Sequence, residues 1–189
     1  MVAGLLGDGL AARIDRWAAD ARVEEAARLR ARERWLRHQA EEEGSLAGVL
    51  ADVAERGASV ALHVRGGRRH RGEVAALGSD FVVLRSAGTD VIVALPAVTS
   101  VRTLPGEAST IGDRSIGTSH RLIDILAGLT AERAAVSLVL ADGDQAVAGV
   151  VLWVGQDVVG VRVAGGTAVT AYVPVGAIVE VLVDGRSTA

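Results

Sequence analysis

The densest cluster of reactive side chains is Arg65-Gly66-Gly67-Arg68-Arg69-His70-Arg71, arginines and a histidine around a glycine pair. Guanidinium groups hold phosphates and carboxylates by charge and by paired hydrogen bonds. A basic hairpin tip of this kind is therefore a candidate site for nucleic acid or for a partner protein. A second turn, Ala141-Asp142-Gly143-Asp144-Gln145, is acidic, with Asp142 and Asp144 as its charges. Opposite charge on two such tips has two functional readings: head-to-tail association of chains, or nucleic-acid contact by the basic tip alone. A third reading makes both tips solvated polar hairpins. No aromatic side chain stands beside the basic tip to stack on a base.

Other reactive constellations are missing. With no cysteine there is no disulfide, thiolate nucleophile or cysteine-held metal. His38, His63, His70 and His120 lack metal-ligand spacing. No nucleophile elbow, phosphate loop or zinc-protease helix is written in the chain. Asp80 and Asp157 read as turn residues, and Glu41-Glu42-Glu43 as a solvated helix end. The expectation is a non-enzymatic protein with no catalytic residue, metal, cofactor or small-molecule substrate.

These groups sit in a chain of 189 residues, 50% hydrophobic and only 3% aromatic. Its apolar mass is mostly Ala and Val, with Leu behind them. All 20 basic residues are arginine, and lysine and asparagine are absent, the usage of a high-GC genome. The N-terminus lacks a basic leader with a long apolar run. The longest uncharged stretch, Val163 to Val179, is shorter than the roughly 20 residues of a spanning helix, and Gly165-Gly166, Pro174 and Gly176 interrupt it. No membrane and a cytoplasmic location are expected.

From about Gly9 to Glu43 the composition is Ala, Arg, Glu and Leu without proline or internal glycine, which predicts one long helix. Asp8 is placed to cap its start and Gly44 to end it. Trp17 and Trp35 share one azimuth, with Leu10, Ile14, Ala21 and Leu36 near it. Glu25, Arg28 and Arg32 interrupt that face. It either packs at its two ends on the rest of the chain or meets a partner. Glu24–Arg28 and Glu33–Arg37 have helix-supporting spacing.

After Gly44 the period changes. Leu46, Val49, Leu50 and Val53 predict a short helix, and Val60–Val64 alternates as a strand. Strands follow over Gly72–Leu77, Phe81–Arg85, Val91–Leu95 and Thr99–Leu104. Residues 126–140 lie on residues 50–64 without a gap, and one inserted residue then brings Gly72 onto Gly149, Gly78 onto Gly155 and Asp80 onto Asp157. A second slip places Pro96 on Pro174 and Leu104 on Leu182. Matches at turn residues, where backbone geometry dictates identity, mark a true internal repeat. The expected organisation is a helix over 1–44, a first unit over 45–104, a linker over 105–119 with Thr118 or Ser119 capping the next helix, a second unit over 120–184 and a tail over 185–189. Residues 45–105 carry seven arginines against five acids, and residues 106–189 five against nine.

The segment Val60 to Leu84, with Gly66-Gly67, Gly72, Gly78 and Asp80, resembles the first motif of Sm-like proteins, and Ala134 to Val161 resembles a second copy. The resemblance implies two tandem Sm-like small β-barrels, each a helix plus five strongly bent strands, behind an N-terminal helix. The fold class expected is therefore mostly β with α. Sm-like proteins generally bind RNA through an Asp and Asn after the second strand and an Arg-Gly pair before the fifth. Only Asp80 and Asp157 match here, and Leu95-Pro96-Ala97-Val98 and Val173-Pro174-Val175-Gly176 stand where the Arg-Gly pair would be. The leading expectation is an assembly module acting through self-association or another protein, with the Arg-rich hairpin as a nucleic-acid alternative. Trp153, aligned with Ala76, reads as a core or interface plug.

Overall fold

The computed structural model describes residues 4–86, 89–106, 110–112, 114, 118–141, 146–165 and 169–183, with side chains from residue 12 onward. The chain divides into two compact units, Met1–Glu43 and Gly44–Ala189.

The first unit is α1, Gly4–Glu43, one helix of 40 residues. It starts earlier than Asp8, because Gly4, Leu5 and Leu6 continue the helical run. Large apolar residues stand exposed along it: Trp17 is 73% and Trp35 63% exposed, and Ile14, Val23 and Leu29 are also open. Glu24 and Arg28 form the expected pair at 3.3 Å. Among the described residues no helix is long and apolar enough to cross a membrane.

In the second unit α2 (Leu46–Glu55) begins at Ser45, whose hydroxyl accepts from the Gly48 N–H at 3.0 Å. It turns Leu50 and Val53 inward. Then come β1 (Ser59–Val64), β2 (Arg69–Leu77), β3 (Phe81–Ser86), β4 (Thr89–Ala94) and β5 (Val98–Thr103), with a 3-10 turn at Leu95–Ala97. The second half repeats the order: α3 (Leu122–Glu132), β6 (Ala135–Leu140), β7 (Ala146–Val154), β8 (Val158–Val163), β9 (Thr170–Pro174), a 3-10 turn at Val175–Ala177, and β10 (Ile178–Val183).

The strands do not form two separate closed barrels. They make one ten-stranded antiparallel sheet, open at both ends, in the order β5-β1-β2-β3-β4-β10-β6-β7-β8-β9. Each half contributes the same five-strand order, and β4 of the first half joins β10 of the second through Val91↔Leu182, Ile92↔Val181 and Val93↔Glu180. One hydrophobic core, including Leu50, Leu62, Leu84, Leu126 and Leu138, runs through both halves. Helix and strand contents are about equal rather than mostly β, since α1 alone supplies 40 residues.

The likeness of the two halves extends to irregularities. Both second strands carry a bulge, between Val74 and Ala76 and between Val151 and Trp153. A Cβ at Gly72 or Gly149 would collide with the carbonyl of Arg85 or Arg162, so both positions need glycine where the strands cross closely. The expected match of Pro96 to Pro174, and with it Leu104 to Leu182, is displaced. Phe81 faces Ala94 while Val158 faces Pro174, and Leu95 N–H reaches Asp80 O as Val175 N–H reaches Asp157 O. Pro96 is thus the counterpart of Gly176, because the second half carries its extra residues between Val163 and Thr170.

The segment expected as a linker is partly built into the fold. Ser45 N–H donates to Gly112 O at 3.0 Å, and a Cβ on Gly48 would strike the same carbonyl. Arg114 reaches Glu55 at 3.2 Å.

Candidate functional site

Strand alternation sorts the arginine hairpin into two sets. Arg68 and His70 turn toward the junction of the two halves. Arg68 Nε donates to Glu180 Oε2 and His70 Nε2 to Glu180 Oε1, each at 2.8 Å, and Glu180 is wholly buried. These two predicted binding residues therefore neutralise an interior carboxylate of β10. Arg65 donates to the Pro96 carbonyl at 3.2 Å while remaining exposed. The sequence carried a signal for this cluster that the reading missed: Glu180 is the lone charge in Ile178-Val179-Glu180-Val181-Leu182-Val183, and a charge in such a run needs a partner.

Arg69 and Arg71 are exposed on the other side of β2. Arg71 stands across Ala61 from Arg102 of β5, and Arg69 is paired with His63 of β1. Among the described residues none of these three arginines forms an ion pair. Arg85, by contrast, is held by Asp90 through two bonds of 2.9 Å, which keep the Asp90 carboxyl below its usual range. His63 Nε2 is buried without a hydrogen-bond partner. Burial, with Arg102 and Arg69 adding repulsion, lowers the His63 pKa from its ordinary 6.5. A histidine held neutral contributes stability that is complete above about pH 6.5 and is lost as pH falls toward its folded value. Urea midpoints at pH 7.5 and 5.5 are expected to drop further for the native chain than for His63→Leu.

Asp80 does more than close a turn. Its Oδ1 accepts the Leu122 N–H at 2.6 Å, capping α3 from the other half, and its Oδ2 lies 3.6 Å from Arg121. Arg121 is itself the N-cap, its N–H donating to Asp124 at 2.7 Å, so neither Thr118 nor Ser119 has that role. Ser79 reinforces the contact through His120 O. Asp80, Arg121 and Asp157 line a cavity of about 230 Å³ where the two halves meet. The acidic tip with Asp142 and Asp144 lies outside the described residues.

The two sheet ends expose the counterparts of what the junction covers. Ile92, beside β10, is 7% exposed; Tyr172, at the same position of β9, is 67% exposed. Leu122 at the start of α3 is 3% exposed; its counterpart Leu46 on α2 is 39% exposed. Trp153 is 41% exposed rather than a core plug. Its indole covers Gly160, where a Cβ would meet it, and it tilts at 48° against Tyr172 with centroids 6.1 Å apart. Trp153, Gly160 and Tyr172 form one cross-strand row.

No protein-family model, curated protein or solved structure matches the chain.

Proposed function

We propose that this protein is a non-enzymatic assembly module in which two Sm-like helix-plus-five-strand units, fused in one chain, join head to tail with further copies of themselves. The observation that carries the reading is the contrast between equivalent positions: Ile92 and Leu122 are covered at the internal junction, while Tyr172 and Leu46 are bare at the ends. A second copy supplies what is missing. Laying its β5 along β9 in the register of the internal junction sets Val101 opposite Tyr172, Ser100 opposite Val173 and Arg102 opposite Ala171. Pro174, which has no N–H to donate, stands just beyond these three pairs. Asp157 then faces the start of the neighbour's α2, as Asp80 faces α3.

The two joints differ in strength. Ser100 occupies the place of Glu180, so the intermolecular joint lacks the buried charge cluster and depends on apolar cover and strand hydrogen bonds. The aliphatic stem of Arg102 replaces Leu182 at the seam, with its charge remaining in water. Assembly is accordingly expected to be concentration-dependent. Light scattering across a dilution series should give a mass that rises above that of one 19.4 kDa chain. A single-chain mass at every concentration would refute the reading.

A further inference from the structure

We infer that the sheet face bearing Arg69, Arg71 and Arg102 binds the phosphate backbone of duplex nucleic acid. The inference is separable from head-to-tail assembly at Arg69 and Arg71, which lie on β2 away from the edge-to-edge joint, whereas Arg102 borders that joint through its aliphatic stem.

Three features carry it. The first is the arrangement of charge. Val60, Leu62 and Val64 face the core, leaving Ala61 and His63 on the opposite face of β1. On that face Arg71 and Arg102 flank Ala61 in one cross-strand row, and Arg69 flanks His63 in the next. The two strands flanking β1 lie about 9.5 Å apart, and alternate residues on one strand about 6.7 Å apart. The cations are thus spread over an area suited to a line of phosphates rather than to one point anion. The second is their freedom: these guanidinium groups have no acidic partner among the described residues, whereas the neighbouring Arg68 and Arg85 are engaged by Glu180 and Asp90. Paired guanidinium–phosphate hydrogen bonds are open to them.

The third feature is what the face lacks. Among the described residues, none of the exposed large hydrophobic side chains lies on β1, β2 or β5. A bilayer would find nothing to insert, and unpaired bases would find no ring to stack on. A regular duplex asks only for backbone contacts, and contacts of this kind are independent of base sequence. His63, with its buried Nε2 unpartnered, lies beside Arg69 in the row next to Arg71 and Arg102. Phosphates arriving there offset the arginine charge that disfavours its protonation.

The salt dependence of binding tests the site. Three phosphate contacts predict a log–log slope of about −2.7, so affinity for a 20-base-pair DNA duplex should fall roughly 40-fold between 50 and 200 mM salt. Arg69→Ala with Arg71→Ala should reduce that fall to about 3.5-fold, and Arg69→Lys with Arg71→Lys should retain the native slope. The His63 imidazole resonance should titrate at higher pH when the duplex is bound. Arg22→Ala with Arg30→Ala on α1 should leave the slope unchanged. The inference is overturned by any of four results: no duplex binding at 50 mM salt, a slope that depends on the α1 arginines alone, tighter binding to polyglutamate or phosphatidylserine vesicles than to the duplex, or stronger binding to single strands than to duplex. Circular dichroism of each variant confirms that the sheet is retained.

Discussion

Arg68→Ala is expected to destabilise the ten-stranded sheet by about 3 kcal/mol, toward the low end of the range for breaking a buried charge pair. Glu180 is wholly buried, and its two oxygens are held by Arg68 and His70. Removing Arg68 leaves that carboxylate in the interior with one partner. The loss is held to the lower end because Arg68 is itself 39% exposed and His70 remains in place. Urea denaturation followed by circular dichroism reads the effect directly. Replacing the trio together, by Arg68→Met, His70→Leu and Glu180→Leu, is expected to recover most of the loss, since a packed apolar cluster has no desolvation penalty to offset. A change below about 1 kcal/mol in Arg68→Ala would mean that the cluster does not hold the two halves together.

Tyr172→Asp is expected to weaken self-association by at least about 100-fold, corresponding to roughly 3 kcal/mol. In the register of the internal junction Tyr172 meets Val101, and a carboxylate placed there would have to be desolvated without a partner. The free chain should tolerate the change, because Tyr172 is 67% exposed at the end of the sheet. Ile92→Asp supplies the contrast. At the equivalent position inside the chain the same charge enters the β4–β10 joint and should lower the unfolding midpoint instead. Sedimentation or light scattering, paired with urea denaturation of both variants, separates the outcomes. Equal assembly by Tyr172→Asp and native protein would remove β9 as the joining edge.

The like order of elements in the two halves was readable from the chain because its strongest matches stand where the backbone restricts identity. Gly72 and Gly149 underlie a close strand crossing, and Asp80 and Asp157 supply equivalent turn carbonyls. Pro96 and Pro174 are identical residues at positions that are not equivalent. Proline suits both the 3-10 turn at Leu95–Ala97 and the end of β9, where Pro174 has φ −60°, so identity there did not imply equivalence. The long helix was legible from propensity. Trp153 was not, because its place over Gly160 depends on a glycine in another strand.

The hairpin shows the same division within a few residues. Its composition marked a concentration of charge but could not say where each side chain goes. Period-two alternation sends Arg69 and Arg71 outward, and only the approach of β10 gives Arg68 and His70 an interior partner in Glu180. Likewise, Asp80 reads locally as a turn residue and becomes a helix cap because α3 starts beside it.

A long N-terminal helix, two like runs of helix and strands rich in valine, and a basic first hairpin follow from local propensity, periodicity and turn chemistry, and all of them are legible in the chain. That the two halves share one open sheet, that the basic cluster divides into a buried staple and an exposed face, and that Tyr172 and Leu46 lie uncovered at the ends emerges only in the folded molecule. Strand pairing and burial depend on residues far apart in the chain: β4 meets β10 across the whole second unit, and that contact alone distinguishes a covered edge from a bare one.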